Sequence, residues 1–444
     1  MTGQEATIMR FSLGGGVAAL MLTAAGAALA QPAAPAQIDS GDTAFMLLCT
    51  VLVLLMTIPG LALFYGGMVR KKNILAIMAQ SFMLCALITV VWIVAGYSLA
   101  FGDGNAWIGD TSRLFLSGMA WEGAFTLGAA TSAPMKMTVP EPVFMFYQMT
   151  FAIITPAVVT GAFADRMKVS AMFLLMVLWS LVVYAPIAHW AWAPLGWLNV
   201  MGMLDFAGGT VVEVNSGVAG LVCALVLGKR LGYRRDNMAP HNLAYAVIGA
   251  ALLWVGWLGF NAGSAGAAGG RAAMAMVATQ AAAASATLVW LSLEWIRSGK
   301  PTVLGAVSGA VAGLVAITPA AGYVLPGAAL VIGVAAGAAC YWMVAEVKPR
   351  LGYDDSLDAF GVHGVGGVIG MLLTGVLAIS ALGGSAGGLA QLGIQAVGVL
   401  AAGAWSAVGT WGLLKLVDAV VGLRVTEEEE RRGLDEVLHG ESLG

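Results

Sequence analysis

The sequence predicts an all-α polytopic membrane protein of eleven transmembrane helices in a 5+5 inverted repeat, with the N-terminus outside and the C-terminus inside. Three observations carry that expectation. Of the 444 residues 59% are hydrophobic and only 10% charged, with a mean hydropathy of +0.87, too apolar for a soluble core of ordinary proportions. Apolar runs long enough to cross a bilayer, about 20 residues each, recur eleven times after residue 30. Lys and Arg gather in alternate loops, as cytoplasmic loops require.

Taken in order, residues 1–30 hold Arg10, an apolar stretch from Phe11 to Leu29 and the small-x-small ending Ala28-Leu29-Ala30, followed by a Pro/Ala-rich segment. This is the pattern of a cleavable signal peptide, and it places the start of the mature chain near Gln31, outside. The eleven runs lie near 43–67, 74–101, 142–164, 169–188, 207–228, 243–263, 272–296, 302–319, 323–347, 359–381 and 389–422, so that 31–422 form the membrane domain. Arg70, Lys71, Lys72, Arg166, Lys168, Lys229, Arg230, Arg234, Arg235, Arg297, Lys300, Lys348 and Arg350 fall in one set of loops. The other set holds Arg113, Lys136 and Arg271. Residues 423–444 form a charged cytoplasmic tail, with Glu427 to Glu430, Arg431, Arg432 and Glu436, read either as solvated or as a regulatory contact surface.

An odd number of crossings sets the first five helices and the next five in opposite orientation. The fifth run opens with Asp205, Gly208 and Gly209, and the tenth with Asp358, Gly361 and Gly364. That likeness predicts an inverted repeat, a plan in which the site lies between the halves. Sixty glycines, many among Ala and Ser as in Gly217-Val-Ala-Gly220, suit helices packed backbone to backbone in lipid.

Other classes are excluded or unsupported. A net charge of -3 gives no reason to expect nucleic acid. Cys49, Cys85, Cys223 and Cys340 lie in apolar runs without metal or redox spacing. No G-x-x-x-x-G-K-[ST] loop occurs, so an ATP-driven pump lacks its signature. No nucleophile, metal cluster or cofactor loop stands out, and the protein is read as a non-enzyme without metal or cofactor.

Two ionisable groups interrupt the apolar runs. Glu213 lies about two turns into the fifth, and His363 about one turn into the tenth. A charge in mid-membrane costs about 2.5 to 3.5 kcal/mol on insertion scales and marks a functional site. Two such groups in runs that start alike predict that the fold brings them together.

Several blocks carry a family likeness: Ile58-Pro-Gly-Leu-Ala-Leu-Phe-Tyr-Gly-Gly67, Asp205-Phe-Ala-Gly-Gly-Thr-Val-Val212, Gly256-Trp-Leu-Gly-Phe-Asn-Ala-Gly-Ser264, Phe360-Gly-Val-His-Gly364 and Gly422-Leu-Arg424. From about Asp42 to Glu441 the chain resembles the ammonium transporter (Amt/Mep/Rh) family, in its bacterial Amt branch. The resemblance implies eleven helices per subunit, a homotrimer with one pore in each subunit, passage of ammonium or ammonia, and a bacterial inner membrane. It also implies a cytosolic PII signal protein as a partner at the inner pore mouths.

The same resemblance implies roles for single residues. Trp192, Phe151 and Ser264 would recruit the cation at the outer entrance, where aromatic faces attract it and a hydroxyl accepts one of its protons. Phe151 and Phe260 would form a stacked hydrophobic gate. Asp205, with Ala207, Gly208 and Gly209, would build the entrance, either as a helix cap or in contact with the cation. Trp257 and Thr318 would line the pore. His363 matches the second of a pair of pore histidines, and Glu213 stands where the first would be, as in a minority branch of the family. The two would relay a proton, or Glu213 would be a buried, protonated group bonded to a carbonyl. A sensor of ammonium and an electroneutral gas channel remain as alternative functions, and no role is assigned to His189.

Overall fold

The computed structural model describes residues 37–443; the signal-peptide reading falls on residues outside that range. Helices form on all eleven apolar runs: α1 (Ser40–Met68), α2 (Lys71–Phe101), α3 (Glu141–Phe163), α4 (Val169–Val200), α5 (Gly209–Leu227), α6 (Leu243–Gly263), α7 (Gly270–Ser298), α8 (Val303–Ile317), α9 (Pro326–Leu351), α10 (Phe360–Leu377) and α11 (Leu389–Val421). Ten of these are long and apolar enough to cross a membrane. The exception is α8, whose 15 residues fall short of the run predicted over 302–319, because Thr318 caps it and Pro319 cannot continue it. Outside the helices, Thr126–Leu127 (β1) and Met135–Lys136 (β2) pair antiparallel in the 102–140 loop.

Local chemistry starts several of these helices. Asp39 accepts from Asp42 N at α1, Asn242 from Tyr245 N at α6 and Thr302 from Gly305 N at α8, each filling one of the donors a helix start leaves open. Pro326 opens α9, where its missing N–H costs nothing. The packing then follows from small residues. A Cβ on Gly313 of α8 would lie 2.4 Å from Ala282 O, and one on Gly333 of α9 would lie 2.3 Å from the same carbonyl. Both helices therefore rest directly on the backbone of α7, as glycine allows in lipid.

The most deeply buried span is α3, packed on α1, α2 and α5. Helix α11 lies at the margin, where Leu400, Val408 and Trp411 are exposed, as are Leu48 and Val51 on α1. Large apolar side chains turned outward are unfavourable in water and suit acyl chains.

The basic loops are less simple than their charge count implied. Arg230 pairs with Asp354 at 2.7 Å, and Asp165 takes Arg70 at 3.0 Å and Arg230 at 3.6 Å. Buried Arg166 donates to the carbonyls of Ala162, Ala164 and Asp354 and to Ser356 Oγ. Burial alone would raise the Asp354 carboxyl, but the hydrogen bonds and charge of Arg230 outweigh it and hold it below its ordinary value.

The tail is not a free solvated segment. Short helices α12 (Glu427–Arg432) and α13 (Leu434–His439) follow α11. The Asp435 carboxylate accepts from Leu75 N and Ala76 N at the start of α2, and Asn73 Oδ1 accepts from Leu434 N. Lys72 Nζ donates to the carbonyls of Glu430 and Arg431, while Glu430 takes Leu231 N and Arg424.

Candidate functional site

The site is built where α5 and α10 start. Asp205 lies ahead of α5, and its two oxygens accept four donors: Gly208 N and Gly209 N on Oδ1, Thr210 N and Thr210 Oγ1 on Oδ2. The turn needs glycine at 208, where φ is +113° and a Cβ would lie 2.6 Å from the Val212 side chain. Ahead of α10, Asp355 accepts from Ala359 N and Phe360 N. Asp355 thus caps the start of α10 as Asp205 caps that of α5. Asp358, which the sequence likens to Asp205, instead pairs with Lys348 at 2.6 Å. Asp355 reaches donors four and five positions ahead, much as Asp205 reaches those three to five ahead, whereas Lys348 occupies the Asp358 carboxylate.

That correction aligns the pore groups. Glu213 follows Asp205 by eight positions, and His363 follows Asp355 by eight. At Gly217 a Cβ would lie 2.2 Å from Gly364 N, so the two helices touch backbone to backbone one turn below the pair. A Cβ on Gly367 would lie 2.8 Å from Glu213 Cβ. Held so closely, His363 Nδ1 and Glu213 Oε2 are hydrogen-bonded at 2.7 Å. Both side chains are buried, and Glu213 Oε1 has no partner among the described residues. One acceptor therefore stays open inside the protein, a costly arrangement unless something visits it.

Glu213 and His363 line a cavity of about 10 Å³ whose other walls include Ile154, Val158, Leu253, Trp257, Phe260 and Val311. That is about the space one water-sized molecule needs. On one side a larger cavity of about 230 Å³ is lined by Phe151, Trp192, Asp205, Ser264 and Arg271, among others. Phe151 belongs to the larger cavity and Phe260 to the smaller, and the two rings stack between them at 4.1 Å and 26°. On the other side His363 also faces a cavity of about 80 Å³ with Tyr65, Ser308 and Asp358.

The vestibule residues are tightly committed. Trp192 stands edge-on to Phe151 at 5.7 Å, and its indole N–H donates to Asp205 O. Ser264 Oγ donates to Phe260 O, which leaves its lone pairs to accept. Tyr147, which sequence reasoning missed, donates to the same carbonyl at 2.6 Å and lies 3.2 Å from Ser264 Oγ. Ala207, Gly208 and Gly209 do not line these cavities but shape the turn beneath them. Trp257 lines the small cavity and donates to Thr318 Oγ1 at 2.8 Å; Thr318 itself is buried behind it and lines neither space. His189 lies within α4, bonded to the carbonyls of Ala100 and Asn105.

A stack of helices with an apolar constriction, a titratable pair beyond it and a polar cavity before it defines a multi-pass membrane transport protein. The chain belongs to the Ammonium Transporter Family, whose model matches residues 44–443. It is 48% identical to the ammonium transporter of Bacillus subtilis (strain 168), over 90% of this chain and 98% of that one. It is also 48% identical to the ammonium transporter of Aquifex aeolicus (strain VF5), over 92% and 94%. Among solved structures it is similar to Saccharomyces cerevisiae Mep2, with a TM-score of 0.81 and 37% identity over 88% of this chain and 89% of that one. A structure titled Sensor Amt Protein matches with a TM-score of 0.81 and 29% identity over 89% and 97%.

Proposed function

We propose that this protein takes up ammonium across a bacterial inner membrane by stripping one proton from it and passing ammonia and the proton separately through the pore. The observation that carries this reading is the Glu213–His363 hydrogen bond, which stands beyond the Phe151–Phe260 stack with one carboxylate oxygen open. Ammonium is recruited between Trp192, Phe151 and Ser264. An alkali ion loses its water shell at the stacked rings with nothing in return, whereas ammonium gives up a proton and crosses as a neutral molecule. The N–H bond breaks on the vestibule side, the proton passes to the Glu213–His363 pair, and the pair returns it to ammonia beyond the stack. Two neighbouring titratable groups hold that proton as a unit.

Net movement is then one positive charge per ammonia, driven by the membrane potential at about 2.3 kcal/mol per charge per 100 mV. In this reading all eleven helices cross, with the N-terminus outside after signal-peptide removal, and the aspartate-capped starts of α5 and α10 are related by an inverted repeat. The subunit works in a homotrimer, and the inner loops with the docked tail form the face on which a cytosolic PII signal protein acts.

The test is the current evoked by an ammonium pulse on liposomes adsorbed to a supported membrane. A saturable current that Glu213→Gln and His363→Ala abolish supports the relay. No current, with ammonia still accelerating internal alkalinisation, supports an electroneutral gas channel. Neither signal leaves an ammonium sensor, a reading that the likeness to the Sensor Amt Protein structure favours.

A further inference from the structure

Arg271 stands in the first turn of α7, where the helix dipole disfavours a cation. It also lines the vestibule, whose expected visitor is a cation. Both facts oppose a positive charge at this place, yet the surroundings hold it firmly. Its guanidinium lies over the ring of Phe206 at 4.9 Å and over that of Tyr323 at 4.8 Å. Nε donates to Gly322 O at 3.1 Å, and a Cβ on Gly383 would come within 3.2 Å of Cζ.

Among the described residues no carboxylate pairs with the charge directly. Asp205, the vestibule's only carboxylate among its described lining, already accepts four donors from its own turn. Phe206 follows Asp205 directly, and its N–H is bound to Pro319 O. The arginine therefore covers two aromatic faces that would otherwise attract ammonium. It leaves recruitment to Trp192 and Phe151.

We propose that Arg271 determines the affinity and charge selectivity of the vestibule. Its fixed positive charge keeps a monovalent cation weakly held, so that it moves on to the stacked rings, and repels a divalent cation twice as strongly. The inference rests on the reading that the vestibule receives ammonium.

The test compares the full-length wild type with Arg271→Gln, Arg271→Met and Arg271→Lys in liposomes, reading ammonium-evoked current against ammonium concentration with and without Mg²⁺. Losing the charge is expected to lower the half-saturating ammonium concentration by roughly three- to tenfold, with the maximal current changed less than about twofold. Arg271→Gln and Arg271→Met become inhibited by millimolar Mg²⁺, while Arg271→Lys retains wild-type behaviour. Arg271→Met keeps an apolar stem between the rings should Arg271→Gln fold poorly. Unchanged half-saturation in both neutral variants overturns the proposal. So does an equal loss of maximal current in all three, which would reduce Arg271 to a packing element. If the wild type carries no current, the transport reading fails separately. The same shift is then sought in ammonium-dependent quenching of tryptophan fluorescence, and its absence there overturns the inference.

Discussion

Glu213 Oε2 and His363 Nδ1 stand 2.7 Å apart, and each residue follows by eight positions the aspartate that caps its own helix. The hydrogen bond therefore sits at corresponding depths of the two helices, and both groups depend on the same kind of support. Glu213→Gln keeps size and hydrogen bonding but cannot take up charge. It is expected to cut the ammonium-evoked current at least about tenfold while leaving the melting temperature of the purified protein within a few degrees.

Phe260 closes the small cavity on the side of the vestibule. Phe260→Ala removes a fully buried ring and is expected to cost about 3 to 5 kcal/mol of stability. It also opens the constriction, so that potassium, expected to give no current in the wild type, becomes able to pass. Current recordings with potassium and ammonium pulses check the loss of discrimination, and thermal unfolding in detergent checks the cost.

Asp205 offers two oxygens to four donors, and no substitution reproduces that. Asp205→Ala leaves them open, and Asp205→Asn turns an NH2 group toward at least one backbone N–H, that of Thr210 when its oxygen stays on Gly208 and Gly209. Both are expected to abolish transport and to lower stability by more than the ~1 kcal/mol of a single lost cap. Transport equal to wild type in Asp205→Asn, measured as methylammonium uptake, would overturn this view of the turn.

The Asp354 carboxyl has its pKa depressed below the ordinary 3.8 by Arg230, against the opposing effect of burial. The unfolded chain thus binds more protons in that range, and stability rises with pH through it. The contribution is fully present above 3.8 and is lost as pH falls through the folded value. Melting curves of wild type and Asp354→Asn should differ at pH 6 and converge as pH falls below 3.8.

Gly433 joins α12 to α13 at φ +115°, and a Cβ there would lie 2.6 Å from Lys72 Cβ. Gly433→Val is expected to lift the tail from the start of α2. Protease cleavage within 424–443 should then accelerate several-fold, with little change in the melting of the membrane helices.

Much of this was legible because hydropathy acts residue by residue. The runs for α1 to α11, the cap at Asp205 and the partnership of Glu213 with His363 all follow from apolar length, a polar residue at a helix start and a costly group inside each span. What stayed hidden depends on partners far away in the chain. Arg271 counted only as a loop cation, because nothing near it in sequence announces the rings of Phe206 and Tyr323. Tyr147 lies inside the apolar run of α3, and nothing near it in sequence announces Ser264, 117 positions away. The choice of Asp358 rather than Asp355 as the counterpart of Asp205 had a local remedy, since the eight-residue spacing from Asp355 to His363 was present in the sequence. The shortness of α8 was marked by Pro319.

The docking of α13 on the start of α2 has a bearing on how the subunit is made. Leu434 N meets Asn73 Oδ1 across 361 positions of sequence, and Asp435 meets Ala76 N across 359. During synthesis the second helix is in place long before its cap exists. Its first turn stays open to water, or to a chaperone, until some of the last residues leave the ribosome. A chain halted between Val421 and Leu434 would carry every membrane helix and still present that first turn uncapped, giving quality control a simple mark by which to tell an incomplete subunit from a finished one.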